Sequence, residues 1–342
     1  MKAFILCAGQ GIRLIPLTIN RPKPMLPVLN KPALEHTLEW LSGYGIKEFI
    51  INLYHKPECI KSYFKNLRKY KITYSPEPGL LGTAGSVKKC QGLLNETFLV
   101  VYGDNIFKTD LTGFFKFHKE KKAKLTVGLV EGEDIAQSGI AQINKEGEIL
   151  RFKEKPQDDE IFSHLINAGI YLVEPGVLEY APKGKFYDFG KDLFPQLTLT
   201  NRRGGLFGFK LTGLLKDIGT PDKFLRINLS LLEKGHSLLG KGCRLNNSDI
   251  ENSIIGHNCI IEEGAVIKDC VLDAGVRVGE NSRLKNSIIL EKTVIEKEVD
   301  ITGAAIAEKC LIEDGASVTN GAKLWPGVKI AKNSLVLSNV IS

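Results

Sequence analysis

From residue 236 onward, aliphatic side chains return on a fixed cycle. Ile255, Leu272, Ile289 and Ile306 lie 17 residues apart, and so do Ile261, Val278, Ile295 and Ile312. A third column, Ile267, Leu284, Ile301 and Val318, keeps the same spacing. Each turn divides into steps of six, six and five residues, and Leu324, Ile330 and Val336 continue in steps of six. Three short strands per turn, each pointing one aliphatic inward, make a triangular parallel β-helix. Its corners need residues that tolerate positive φ. Gly264, Asn281 and Gly315 share one corner column, with Glu298 as the exception. A β-sandwich with chance spacing is the alternative. Three columns holding through four turns argue against it.

Residues 1–235 follow a different grammar. Apolar strand-like runs (Ala3–Cys7, Phe49–Leu53, Phe98–Tyr102, Leu125–Val130) alternate with helical stretches (Ala33–Leu41, Glu58–Leu67, Thr112–Lys121). Continuous apolar strands between helices predict an α/β fold. Its Rossmann-like sheet is mixed and mostly parallel, with helices on both faces. At 342 residues the chain exceeds one comfortable core. We divide it at residues 1–235, an α/β domain, and 236–342, a hexapeptide-type β-helix.

Composition removes several classes of function. The net charge of +7 suits phosphate-bearing substrates and is too diffuse for nucleic acid. The seven cysteines form no CxxC pair, which argues against zinc, and their scatter argues against a secreted disulfide scaffold. The apolar stretch Ala3–Ala8 is too short for a signal peptide or a membrane span. A reducing, cytoplasmic protein without nucleic-acid or membrane partners is expected. The six histidines are dispersed and read as structural or solvated.

The first strand runs into Ala8-Gly9-Gln10-Gly11-Ile12-Arg13-Leu14, then Pro16-Leu17-Thr18, then Arg21-Pro22-Lys23-Pro24. Leu14 stands where a dinucleotide fingerprint wants a third glycine, and no Walker A pattern occurs. Gly9 and Gly11 let backbone N–H groups approach a triphosphate. Arg13 offers a planar fork for phosphate oxygens. Lys23 lies between two prolines, which predicts a stiff, extended segment holding one ammonium exposed in a cleft. Asp104 follows a core strand, with Gly103 between, and is placed for Mg²⁺ over a nucleotide.

These motifs resemble the signature of the sugar-phosphate nucleotidyltransferases, also called nucleotide-sugar pyrophosphorylases. Gly82-Thr-Ala-Gly85, Gly103-Asp104, Glu154-Lys155-Pro156, Asn167-Ala-Gly169 and Asp217-Ile-Gly219 fall in that family's order. The 17-residue repeat with Trp325-Pro326 near its end looks like the C-terminal domain of mannose-1-phosphate guanylyltransferases, a left-handed β-helix in that family. There are two departures. Ile12 stands where the family usually has Thr or Ser, and Ile15 where it often has Arg.

The resemblance implies a reaction in which a nucleoside monophosphate passes from an NTP to a sugar 1-phosphate, with release of pyrophosphate. It implies Arg13 and Lys23 as catalytic cations. Ala8, Gly9, Gly11, Gly82, Thr83 and Gly85 would line the nucleotide. Tyr102, Gly103, Glu154, Lys155, Asn167 and Gly169 would meet the sugar phosphate, with Asn167 and Gly169 opening a strand. Asp217 joins Asp104 as a Mg²⁺ ligand. No general base is needed, because a sugar 1-phosphate is already mostly dianionic near pH 7, its second pKa being about 6.

The small-residue run Gly82–Gly85 and the repeat favour GTP with mannose 1-phosphate. The run Val101–Asn105 looks more like glucose-1-phosphate thymidylyltransferases, and a uridylyltransferase is a further alternative. A second, acyltransferase activity would need a catalytic corner histidine, for which His257 is the candidate. A non-catalytic regulatory homologue would be free to lose Arg13, Lys23, Asp104 and Asp217, and all four are present. The repeat domain is expected to serve assembly and stability rather than chemistry, and its apolar end suggests a homo-oligomer.

Overall fold

The computed structural model describes residues 1–132, 134–200, 205–233 and 235–341. In chain order the elements are β1 (Ala3–Leu6), β2 (Pro27–Val28), β3 (Lys31–Pro32), α1 (Ala33–Gly43), β4 (Glu48–Leu53), α2 (Pro57–Phe64), β5 (Lys71–Pro76), α3 (Gly82–Lys89), β6 (Phe98–Tyr102), β7 (Asn105–Thr109), α4 (Thr112–Lys121), β8 (Leu125–Glu131), β9 (Gly139–Ile143), β10 (Ile149–Glu154), β11 (Leu165–Val173), α5 (Phe194–Thr200), β12 (Leu206–Lys210), β13 (Gly213–Asp217) and α6 (Pro221–Ser230), followed by the short strands of the repeat. They form two compact units. One holds Met1–Gly9 and Leu34–Lys216, the other Gln10–Ala33 and Asp217–Ser342.

In the first unit a mixed sheet runs in the order β10-β9-β11-β6-β1-β4-β5, with β8 pairing β11 and β12. β1 lies parallel to both β4 and β6, and β4 parallel to β5. β11 runs antiparallel to β6, β8 and β9, and its pairing with β8 shifts register between Asn167 and Tyr171. The central strands are largely apolar because both faces are covered. Phe4, Ile51, Leu99 and Val100 are completely buried. The helix expected over Glu58–Leu67 stops at Phe64, where a tighter turn takes over and the Leu67 N–H donates to the Phe64 carbonyl. His118 is buried between Thr126 and Glu174, a structural setting.

In the second unit the repeat forms three six-stranded parallel sheets, and each expected column falls on one of them. The inward aliphatics make a continuous core, which Cys259, Cys270 and Cys310 help to fill. Buried hydroxyls close the corners. Ser253 accepts from the Cys270 N–H, Ser287 from the Ala304 N–H and Thr293 from the Cys310 N–H. Each satisfies a backbone group that the bend removes from the ladder. The corner column expected to break at Glu298 does not break, because Glu298 adopts φ 57° alongside Gly264, Asn281 and Gly315. A second column with positive φ runs through Gly275, Lys292, Lys309 and Gly327. Hydrogen bonding between coils imposes the left-handed conformation whatever the residue, at a local cost of roughly 1–2 kcal/mol for a side chain with a Cβ.

No helix among the described residues is long and apolar enough to cross a membrane.

Candidate active site

In the first unit, the carboxyl ends of the parallel strands open a pocket, as ligand sites in such sheets do. Ala8 and Gly9 after β1, Asn52 in β4, Glu77 after β5, Tyr102 and Asp104 around the end of β6, and Gly82, Thr83 and Ser86 of α3 line it. Gly103 lies behind the wall. A Cβ there would stand 2.5 Å from Cys7 Sγ, so only glycine lets the turn after β6 approach β1 this closely. Burial pushes the Cys7 thiol well above its ordinary range, with the Asp104 carboxylate adding to the shift.

A buried polar network holds the pocket floor. Asn52 Oδ1 accepts from the Cys7 N–H at 2.7 Å. Asn52 Nδ2 donates to Glu77 Oε1 at 2.8 Å and to Ser86 Oγ at 3.1 Å. Ser86 in turn donates to the Gly82 carbonyl at 2.6 Å, and Glu77 Oε2 accepts from the Leu81 N–H at 3.3 Å. Three elements are thereby fixed to the opening of α3. Gly85 is not among the pocket-lining residues. Its N–H donates to the Tyr187 carbonyl, and the space a side chain would need is filled by the Lys185 carbonyl. Its small size answers to protein backbone.

A second cluster lies around Asp188. This carboxylate accepts from Thr83 Oγ1 at 2.8 Å and caps the following helical turn through the Gly190 and Lys191 N–H groups. Burial pushes the Glu154 carboxyl up to about 7, with Asp188 adding and Lys155 and Lys191 opposing. Burial also holds the Tyr102 phenol well above its ordinary value. The Tyr171 hydroxyl donates to Tyr102 Oη at 3.3 Å and accepts from Asn167 Nδ2 at 2.8 Å. Asn167 and Gly169 do not open a strand, as expected, but form the bulge within β11. Gly169 has φ 70°, and the Tyr102 ring occupies the space beside it. Lys155, exposed at the end of β10, holds φ 48° in front of Pro156, an uncommon conformation for a side chain with a Cβ.

The remaining expected site residues belong to the second unit. Gly11 has φ 65° and packs against Thr18 and Lys23, and Thr18 Oγ1 donates to the Gly11 carbonyl at 2.9 Å. Arg13 sits exposed in a 3₁₀ turn. Lys23 differs from expectation twice. It is 8% exposed, not open in a cleft, and its Nζ pairs with Asp217 Oδ1 at 2.6 Å. It also opens a 3₁₀ turn over Lys23–Met25 in place of an extended segment. The turn forms because Pro24 supplies no N–H and needs none there, while the Met25 N–H donates to the Pro22 carbonyl. Beside Asp217, a Cβ on Gly219 would press on the carboxylate, which would have to turn away.

Asn52, Glu77, Ser86 and Asp188 are the polar wall residues that sequence reasoning missed. An Asn near the carboxyl end of the otherwise apolar run Phe49–Leu53 was the available signal for the first. An Asp four residues before Asp192 was a cap signal for the last. Among the described residues no three His, Cys, Asp or Glu side chains gather as a metal cluster. Mg²⁺ usually takes one or two carboxylates and completes its shell with phosphate and water. Asp104 and Asp217 are hard oxygen donors of that kind.

Comparison with known proteins assigns the chain to a family. The Nucleotidyl transferase family model matches residues 2–234, and the model described as GlmU-like, C-terminal hexapeptide matches residues 229–324. The chain is 33% identical to a UTP--glucose-1-phosphate uridylyltransferase of Synechocystis sp., over 90% of each chain. It is 30% identical to a mannose-1-phosphate guanylyltransferase of Mycobacterium tuberculosis, over 96% of this chain and 95% of the relative. Among solved structures, a putative glucose-1-phosphate thymidylyltransferase from Bacillus anthracis superposes with a TM-score of 0.61 at 26% identity, covering 69% of this chain and 98% of that one. The chain belongs to the nucleotidyl transferase family and, within it, to the sugar-1-phosphate nucleotidyltransferases.

Proposed function

We propose that the chain joins mannose 1-phosphate to the GMP part of GTP. Residues 1–235 would form the catalytic domain and 236–342 the β-helix domain. The observation that carries the base assignment is Glu77, a carboxylate in the pocket wall beside the opening of α3. A carboxylate is an acceptor only, and each oxygen keeps a lone pair beyond its bonds to Asn52 and Leu81. Guanine offers two adjacent donors, N1–H and the N2 amino group, whereas uracil and thymine offer one N–H between two carbonyls. The mannose assignment leans on the guanylyltransferase relative and on the repeat ending in Trp325-Pro326.

The chemistry follows from charge. An oxygen of the dianionic sugar phosphate attacks the α-phosphorus, the new P–O bond forms, and the bond to the β-phosphate oxygen breaks to release pyrophosphate. No proton has to be removed, so the protein's task is placement and neutralisation. Ala8, Gly9 and Gly11 present backbone to the triphosphate, and Arg13 and Lys23 meet its charge. Gly82 and Thr83 shape the base side. Lys155 takes the sugar's phosphate, and Glu154 accepts from sugar hydroxyls, with Tyr102, Gly103, Asn167 and Gly169 forming its surroundings. Asp104 and Asp217 would hold Mg²⁺, which draws charge from the phosphate oxygens when bound. Metal titrations of turnover in Asp104→Asn and Asp217→Asn test that pair. An unchanged Mg²⁺ midpoint in either variant removes that residue from the set.

Exposed Leu335 and Leu337 on the last coil support self-association. Light scattering of a Leu335→Glu, Leu337→Glu double variant tests it, and unchanged mass would reject this surface.

The substrate test is kcat/KM for GTP, UTP, dTTP and CTP against mannose and glucose 1-phosphates. GTP should win by on the order of 10²-fold, because a mismatched base leaves buried polar groups unpaired. Glu77→Gln should narrow that ratio. The Synechocystis relative and the run Val101–Asn105 favour a second reading, UTP or dTTP with glucose 1-phosphate. A win for either pair would overturn the guanylyl assignment.

A further inference from the structure

The segment carrying Arg13 and Lys23 is fastened to the β-helix, rung by rung. Asn20 Nδ2 donates to Glu308 Oε1 at 2.7 Å. Arg21 splits its guanidinium, with Nη1 on Asp273 Oδ2 at 2.7 Å and Nη2 on Glu291 Oε2 at 3.0 Å. At the tip of the β2–β3 hairpin, Asn30 Nδ2 donates to the Ile255 carbonyl at 2.8 Å. Ile255, Asp273, Glu291 and Glu308 lie on four successive coils, so residues 20–30 descend the repeat from its fifth coil to its second. The Arg21 side chain is 18% exposed and that of Asp273 is 12% exposed, which shields this pair from salt better than a surface contact. Between Arg21 and Lys23 stands only Pro22, with φ −70° and ψ 148°. Gly11 packs on the Lys23 stem from the other side.

We infer that the β-helix is part of the catalytic apparatus: Asp273, Glu291 and Glu308 position the phosphate loop through Asn20 and Arg21. The inference rests on the reading that Arg13 and Lys23 meet phosphate. An anchored Arg21 fixes where Pro22 delivers Lys23, and a displacement of about 1 Å at such a group can cost on the order of 10²-fold in rate. Arg21, Asp273 and Glu291 are positioning residues, since none is required to touch substrate.

The test uses the full chain, with Arg21→Ala, Arg21→Lys and Glu291→Gln compared with wild type. Glu280→Gln, in the exposed Lys297–Glu280 pair on the same repeat, is the control. Hydrogen–deuterium exchange over residues 10–26 is read beside kcat and the KM for the NTP. Arg21→Ala should speed exchange in that segment while amides of the repeat core stay protected. It should lower kcat/KM for the NTP by roughly 10²-fold. Arg21→Lys reaches only one carboxylate and should recover part of the loss. Glu291→Gln is the milder change and keeps the test usable if Arg21→Ala folds poorly. Unchanged loop exchange, or faster exchange with wild-type kinetics, overturns the inference. Lys23→Ala separates the two ideas. If it turns over normally, the phosphate reading fails, whereas normal kinetics in the Arg21 variants beside a crippled Lys23→Ala defeats the positioning role alone.

Discussion

Buried polar side chains do different work in the two units. In the α/β unit each one is singular. Asn52 joins the Cys7 N–H, Glu77 and Ser86, and among the described residues no other repeats these contacts. In the β-helix the same contact recurs coil after coil, as Ser253, Ser287 and Thr293 each accept from the N–H one coil further on. A singular contact makes a site, because its loss cannot be shared. A repeated contact makes a frame, because its neighbours still hold. Substitutions in the first unit and in the phosphate loop should therefore act on rate constants, and those in the core of the repeat on stability.

The largest expected effect tests the first half of that contrast. Lys23→Ala should lower kcat by on the order of 10²–10³ at saturating substrates, the usual scale for losing a preorganised charge-stabilising donor. A variant with near-full turnover for every active substrate pair would remove Lys23 from the mechanism.

The second tests the frame. Ile295 is 1% exposed in the core of the repeat. Ile295→Ala should cost about 2–5 kcal/mol in denaturant unfolding. The KM values should stay at wild type, and a KM shift as large as that of Arg21→Ala would erase the distinction between frame and strap.

The third concerns a singular group whose charge changes with pH. Burial raises the Glu154 carboxyl from 4.5 to about 7 in the folded chain. Between those values the folded chain keeps a proton that the unfolded chain has lost, so this group's contribution to stability falls as pH rises through that window. Glu154→Gln should leave the Tm unchanged at the acid end of the window and raise it by a few degrees above pH 7. In the wild type the KM for sugar phosphate should climb as pH drops below 7, when the carboxylate becomes an acid. The climb should be absent in the Gln variant. The same climb in both would trace it to the substrate's own phosphate.

The smallest effect lies at a corner. Glu298 has φ 57°, a conformation that glycine adopts without strain. Glu298→Gly should raise the denaturation midpoint by an amount worth about 1 kcal/mol or less, since added freedom in the unfolded chain offsets part of the relief. A loss of stability would mean that the Glu298 side chain holds the corner in some other way.

The repeat was readable in the sequence almost to the residue, because one periodic demand sets each column and 17-residue spacing displays it. What escaped was at the corners, where hydrogen bonding between coils forces Lys292, Lys309 and Glu298 into a conformation their identities do not announce. The strands of the α/β unit and the phosphate loop were legible from apolar runs and glycine spacing. The wall residues were not, since Asn52, Glu77 and Asp188 meet only after distant strands pair. The burial of Lys23 was equally hidden, because its partner lies 194 residues away.

The strap also makes the repeat count. Its contacts land on coils fixed by Ile255, Asp273, Glu291 and Glu308. Adjacent coils stand about 4.8 Å apart, the spacing of paired strands. Deleting one coil between Ile255 and Glu308 would bring the wrong carboxylate under Arg21 or leave Asn20 without its own. Adding or removing a coil beyond Glu308 would disturb neither. Length variation among chains built this way should accordingly be tolerated on the far side of Glu308 and purged on the near side, a polarity that the uniform look of the repeat conceals.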